Sequence, residues 1–225
     1  MLLAAASSHA TLSTETFLLG TTANGTSPAG TPPWITAVLS ETSTPGTLNL
    51  KLSAPNLSSG EFMSSFFLNY SPGTGSSSLA GLTFTPVDVS AVGSVTYLHS
   101  ANNSVPTANT QTFGKYDIQL KFPTAATGNR FTDNESITIA IGNAQLADFN
   151  YFSQTKQGVT LTHMVGADIQ GIRDDKSGQI VADGYTSGIV PVPEASTWLA
   201  GAGALGLVLV GTGARSRKLA ASQIN

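Results

Sequence analysis

Acid–base or nucleophilic chemistry in the central part of this sequence would fall to His99 and His163, with the serines and carboxylates around them. A serine nucleophile needs a histidine base and is characteristically raised on a sharp Gly-x-Ser-x-Gly turn that exposes its hydroxyl, and no serine here stands in that setting. Cysteine is absent, which excludes thiol catalysis and thiolate metal sites. His163, between Thr162 and Met164 in a strand-like run, reads as a packed or surface histidine, and no enzyme is expected. Hard oxygen ligands occur at Asp133-Asn134-Glu135 and at Asp174-Asp175, loop positions of the kind an extracellular calcium ion takes. Neither has the spacing of a helix-loop-helix calcium loop, and the same residue types serve as turn formers. No other cofactor is expected. Aromatic rings stack on sugar faces, and Trp34, Tyr70, Tyr97 and Tyr151 are available. Trp34 and Tyr97 lie in apolar alternation and read as core. Phe149 and Tyr151, in the cluster Phe149-Asn150-Tyr151-Phe152 between strands, are the candidate ligand-binding rings.

The C-terminal residues have a different character. Val192-Pro193-Glu194-Ala195-Ser196-Thr197-Trp198 leads into an Ala-, Gly-, Leu- and Val-rich run, and Arg215, Arg217 and Lys218 follow it. No charge lies between Glu194 and Arg215, so a helix of about 20 residues can form, about 30 Å long and matched to the hydrocarbon core of a bilayer. The expected transmembrane helix is 196–214. Lys and Arg beside a span stay on the cytoplasmic side, and Trp198 sits where an indole favours the interface, so the body of the chain is expected outside. Ala202 and Gly206 have the small-xxx-small spacing that lets another helix approach closely. A plain single-pass anchor has the same span and flank. A glycolipid-anchor signal also ends in an apolar tail, but has no basic cluster after it.

A short Pro-Glu motif followed at once by one hydrophobic helix and an Arg-rich end resembles the PEP-CTERM sorting domain of Gram-negative and related bacteria. Here Ala195 stands where the family has its second proline. The resemblance implies an exosortase as partner, a membrane protease or transpeptidase acting near Pro193-Glu194, with transient residence in the inner membrane and then release or transfer to the cell surface. It also implies an association with exopolysaccharide and biofilm material. In that bacterial setting the Asn-x-Ser/Thr triplets at Asn24, Asn56, Asn69, Asn102 and Asn134 stay unmodified. Met1–Ala10 reads as a partial or truncated signal peptide, ending in the small-x-small pattern Ser8-His9-Ala10.

These candidate residues need a scaffold, and alternation supplies its outline. Leu48, Leu50 and Leu52 share one face of 47–53; Tyr116, Ile118, Leu120 and Phe122 share one of 116–122; Ile137, Ile139 and Ile141 repeat the pattern. Further strands are expected at 34–39, 61–70, 79–84, 92–98, 159–165, 167–172 and 179–182, separated by turn-rich pieces such as Ser71-Pro72-Gly73. No helical period competes with them in the body, so the expected fold is all-β: an antiparallel, jelly-roll-like β-sandwich followed by one C-terminal transmembrane helix. The expected division is 1–10 signal remnant, 11–182 sandwich, 183–192 extended linker and 193–225 sorting signal. The pieces 116–123, 128–131, 168–172 and 177–180 resemble β-rich domains that precede this tail. Charged residues make up 10 % of the chain and the net charge is −3, with Lys and Arg outside the tail scattered, so nucleic acid is excluded as a partner. The remaining readings are a surface or matrix protein carried by a cleaved tail, a carbohydrate-binding module with the same tail, and a permanently anchored single-pass protein.

Overall fold

The computed structural model describes residues 11–99, 115–126, 129–152 and 163–191. Strands β1 (Thr11–Leu19), β2 (Thr21–Gly25), β3 (Ile35–Glu41), β4 (Thr47–Ser53) and β5 (Phe62–Leu68) come first. They are followed by β6 (Thr83–Asp88), β7 (Thr96–His99), β8 (Ile118–Lys121) and β9 (Phe131–Thr132). The last are β10 (Ser136–Gly142), β11 (Val165–Ile172), β12 (Lys176–Ala182) and β13 (Thr186–Pro191). Among the described residues helix is confined to two short 3-10 turns, Leu79–Gly81 and Leu146–Phe149. The described part of the chain is all-β, with two antiparallel sheets arranged as a sandwich. One has strand order β13-β1-β3-β4-β10-β6; the other runs β2-β12-β11-β5-β8-β7, with β9 paired to β5.

The first sheet is built by the leucine and isoleucine alternation. In register, Leu52 faces Ile137, Leu50 faces Ile139 and Leu48 faces Ile141 on one side. On the other side Leu39 lies beside Leu50 and Ala37 beside Leu52. All are removed from water, and each large aliphatic side chain contributes about 1.5–3 kcal/mol by that burial. Phe17 and Leu19 continue the face into β1. The second sheet supplies Met63, Phe66, Leu68, Ile118, Leu120, Val165, Ala167, Ile169 and Ile180 to the same core. Leu12–Ile189 form one compact unit.

Several elements differ from the sequence reading. Residues 79–84, expected as strand, begin with the 3-10 turn in which Leu82 N–H bonds Leu79 O at 3.3 Å, and β6 starts only at Thr83. Val92 is buried in a turn, its N–H on Val89 O at 3.0 Å, and β7 starts at Thr96. β1 and β2 arise from threonine-rich sequence with little apolar alternation. Thr186–Pro191, within the expected linker, forms the edge strand β13 beside β1. Of the expected strand 159–165, residues 159–162 lie outside the described residues, and β11 starts at Val165. The expected transmembrane helix 196–214 and the signal remnant Met1–Ala10 also lie outside them. Among the described residues no helix is long and apolar enough to cross a membrane.

Candidate functional site

β5 is buried along its whole length, on both faces. Its inner side chains join the main core, while Phe67 packs outward with Tyr116 and Val181 in a second apolar cluster. The Phe67 and Tyr116 rings lie 5.5 Å apart. The outer face of the second sheet is therefore more than a hydrated surface. Beside this cluster runs a row of polar residues fixed by strand register: Asn24 pairs with Gln179, Gln179 with Asp168, Asp168 with Ser65, and Ser65 with Lys121. Ala167, Ile169 and Phe66 point into the core, so alternation puts Asp168, Gln170 and Ser65 on the opposite face.

The middle of this row is withdrawn from water, while Asn24 and Lys121 at its ends are exposed. Ser65 is 6 % exposed and Gln119 3 %, and Gln119 Nε2 donates to Ser65 Oγ at 3.0 Å. Burial pushes the Asp168 carboxyl up to about 6, against a hydrogen bond from the Gln179 side chain that favours the ionised form. Gln119 Oε1 and Gln179 Oε1 are buried and accept no hydrogen bond among the described residues. Each such orphan acceptor costs about 1–3 kcal/mol relative to a satisfied one. The ladders are irregular at the same place: register shifts fall at Asp168/Ile169, Gln170/Ile172 and Gln179/Ile180. Bulges of this kind twist a strand and re-aim its side chains, and they concentrate next to functional sites.

The row borders a groove of about 290 Å³ walled by Asn24, Asp168, Gln170, Ser177 and Gln179. Gly25 and Gly178 also line it. A Cβ on Gly178 would lie 1.9 Å from Thr26 O, so only glycine lets β2 and β12 close at that point. A second groove of about 530 Å³ shares Gln170 and Ser177 with the first and extends to Thr124, Asp175 and Lys176. Its wall includes Phe62, over whose ring the Arg130 guanidinium sits at 4.1 Å. The larger cleft at one end of the sandwich, about 650 Å³ between the loops at 42–47 and 143–145, is chemically quieter. Its amides are committed to turns: Asn143 Nδ2 donates to Gly81 O at 2.9 Å and Gln145 Nε2 to Thr74 O at 3.3 Å.

Comparison with known protein families, with curated proteins and with solved structures finds no match.

The residues singled out in the sequence fall in different places. Phe149 is in the core, 1 % exposed and packed on Tyr70 at 5.3 Å between ring centres, so it presents no face to a ligand; the 3-10 turn turns it inward. Tyr151 is 46 % exposed, and its backbone carbonyl accepts from the buried Asn69 amide at 3.1 Å. Trp34 is buried and Tyr97 is stacked on Phe84, as alternation implies. His163 is buried with Nδ1 on the Asp183 carboxylate. Asp133 accepts from Asn134 Nδ2 and Glu135 from Thr132 N–H, each at 2.6 Å. Asn134, Asp174 and Asp175 have φ of 60°, 58° and 56°, the left-handed turn conformation. Among the described residues no group of three or more His, Asp or Glu is placed to hold a metal ion. Val192, Pro193, Glu194, Ala195, Ser196, Thr197 and Trp198, with Arg215, Arg217 and Lys218, lie outside the described residues.

Asn24, Ser65, Asp168, Gln170 and Gln179 were not among the residues the sequence nominates. The available signal was Asp168 and Gln170 alternating with Ala167 and Ile169. What makes them a site is cross-strand register with β2, β5 and β12, which no local pattern contains.

Proposed function

We propose that this chain is an exported, non-enzymatic surface or extracellular-matrix protein. A PEP-CTERM-like tail holds it in the inner membrane through one C-terminal transmembrane helix until an exosortase cuts near Pro193-Glu194. The observation that carries this reading is the order of three features: the Val192-Pro193-Glu194-Ala195-Ser196 entry, an uncharged span to Ala214, and the basic residues Arg215, Arg217 and Lys218. Hydropathy alone would suit a permanent anchor equally well; the Pro-Glu entry immediately before the span favours processing. The cargo is read as a jelly-roll-like sandwich. In a host encoding an exosortase, the double substitution Pro193→Ala and Glu194→Ala is expected to leave the protein in the membrane fraction while wild type leaves it. Unchanged release of the variant would count against processing at this motif.

A second reading gives the β domain a task of its own, carbohydrate binding at the cell surface. It is favoured by the polar row and groove on the outer face of the second sheet, where amides, hydroxyls and a carboxylate stand together, partly buried at Asp168, Gln170 and Gln179 and exposed at Asn24 and Ser177. Sugar hydroxyls both donate and accept, and such a mixture of groups is their complement.

A further inference from the structure

We infer that the groove walled by Asn24, Asp168, Gln170, Ser177 and Gln179 binds a neutral polysaccharide chain lying across β2, β12 and β11 and running on toward Arg130 and Phe62. This deepens the carbohydrate-binding reading and rests on it. It moves the site from the rings at 149–152 to the opposite kind of surface, a sheet face lined by side-chain amides.

Four observations support it. The first is chemical balance. Asn24 and Gln170 each carry amide donors and a carbonyl acceptor, Ser177 a hydroxyl, and Asp168 a carboxylate able to accept from adjacent hydroxyls. Gln179 adds a further side-chain amide to the same wall. Second, the ionisable groups along the proposed path balance: Asp168 in the first groove and Asp175 in the second stand against Arg130 and Lys176, so there is no net cationic wall to favour a uronate or sulfated chain over an uncharged one. Third, the position is a sheet face, where backbone N–H and C=O groups are spent on ladders between β2, β12, β11 and β5. A peptide adding as a strand would pair at the edge strand β2 and not on this face. Fourth, the shape is extended: the second groove meets the first at Gln170 and Ser177, giving one trough across neighbouring strands. A chain of linked rings fills such a trough where a single ring would leave most of it to water.

Native affinity electrophoresis of the purified full-length protein tests this, using gels cast with neutral polysaccharides (a β-glucan, an α-glucan, a galactomannan and a xylan) and with alginate as the acidic comparison. Wild type is expected to be retarded by at least one neutral polymer and to run free in alginate. Gln179→Ala and Asn24→Ala should each weaken retardation about tenfold, the scale of one lost hydrogen bond to a buried partner. Thr44→Ala, in the cleft at the sandwich end, and Tyr151→Ala, on the exposed ring, should leave it unchanged. Circular dichroism melts of each variant keep loss of binding separate from loss of fold; should Gln179→Ala melt early, Asn24→Ala at the groove rim decides. Retardation that survives both groove substitutions would overturn this site while leaving carbohydrate binding standing. Retention by alginate alone would overturn the neutral-ligand assignment, and free migration of wild type in every gel would overturn the site and the carbohydrate-binding reading together.

Discussion

Asp168 is held at a cost to stability. Its carboxyl has an ordinary value near 3.8 and is pushed up to about 6 by burial, the Gln179 hydrogen bond pulling the other way. A carboxyl raised in the folded state makes its full contribution below its unfolded value and loses it as pH climbs through 4 to 6. At neutral pH the ionised group therefore lowers stability by about 3 kcal/mol. Glu15 and Asp117 are raised for the same reason, desolvation, and act in the same direction. Asp168→Asn keeps an acceptor for the Gln179 amide and removes the charge. It is expected to raise the thermal midpoint at pH 8 by about 5 °C or more and to flatten the pH 4–6 part of the profile. Calorimetry across pH checks this, and a midpoint at pH 8 equal to or below that of wild type would contradict the assignment of Asp168 as a destabilising buried charge. Positions kept at such a cost are where local rules are broken for function.

At the scale of elements, β4 and β10 were legible to within a residue because each carries three aliphatic side chains at period two, a pattern that survives any neighbour. The strand β1 was not legible. Glu15 sits on the same face as Phe17 and Leu19, and its burial depends on Asn150 Nδ2 at 2.7 Å, a partner far along the chain. β13 reads as linker in the sequence because Thr, Ser, Gly and Pro carry no periodicity; its pairing with β1 joins segments far apart along the chain. The groove shares this limit, since it is assembled by register across β2, β12, β11 and β5 and by bulges that shift it. The elements the sequence does define should dominate stability. Leu50, fully buried between Leu39 and Ile139, is expected to cost about 2–5 kcal/mol on Leu50→Ala, seen as a lower urea midpoint at unchanged slope. A loss under about 1 kcal/mol would mean that the leucine layer is not the centre of the core.

For the whole molecule, the proposed function divides the sequence into cargo and address. Leu12–Ile189 build the sandwich, and the motif, span and basic end follow it in the order Val192 to Lys218. In the sorting reading proposed above, a helix of about 20 uncharged residues with cations on one flank would be held in a bilayer with that flank inside, leaving the Pro-Glu bond and the β domain on the outer side. Small residues dominating the span, among them Ala202 and Gly206, suit close approach by another helix. The sandwich would then be delivered without its anchor. Mass spectrometry of the protein extracted from the cell surface of its own host resolves the matter at the C-terminus. The last residue is expected within a few positions of Glu194, with everything from the apolar span onward gone; surface protein still ending in Arg217-Lys218 and the residues through Asn225 would contradict cleavage and leave a permanent anchor in its place.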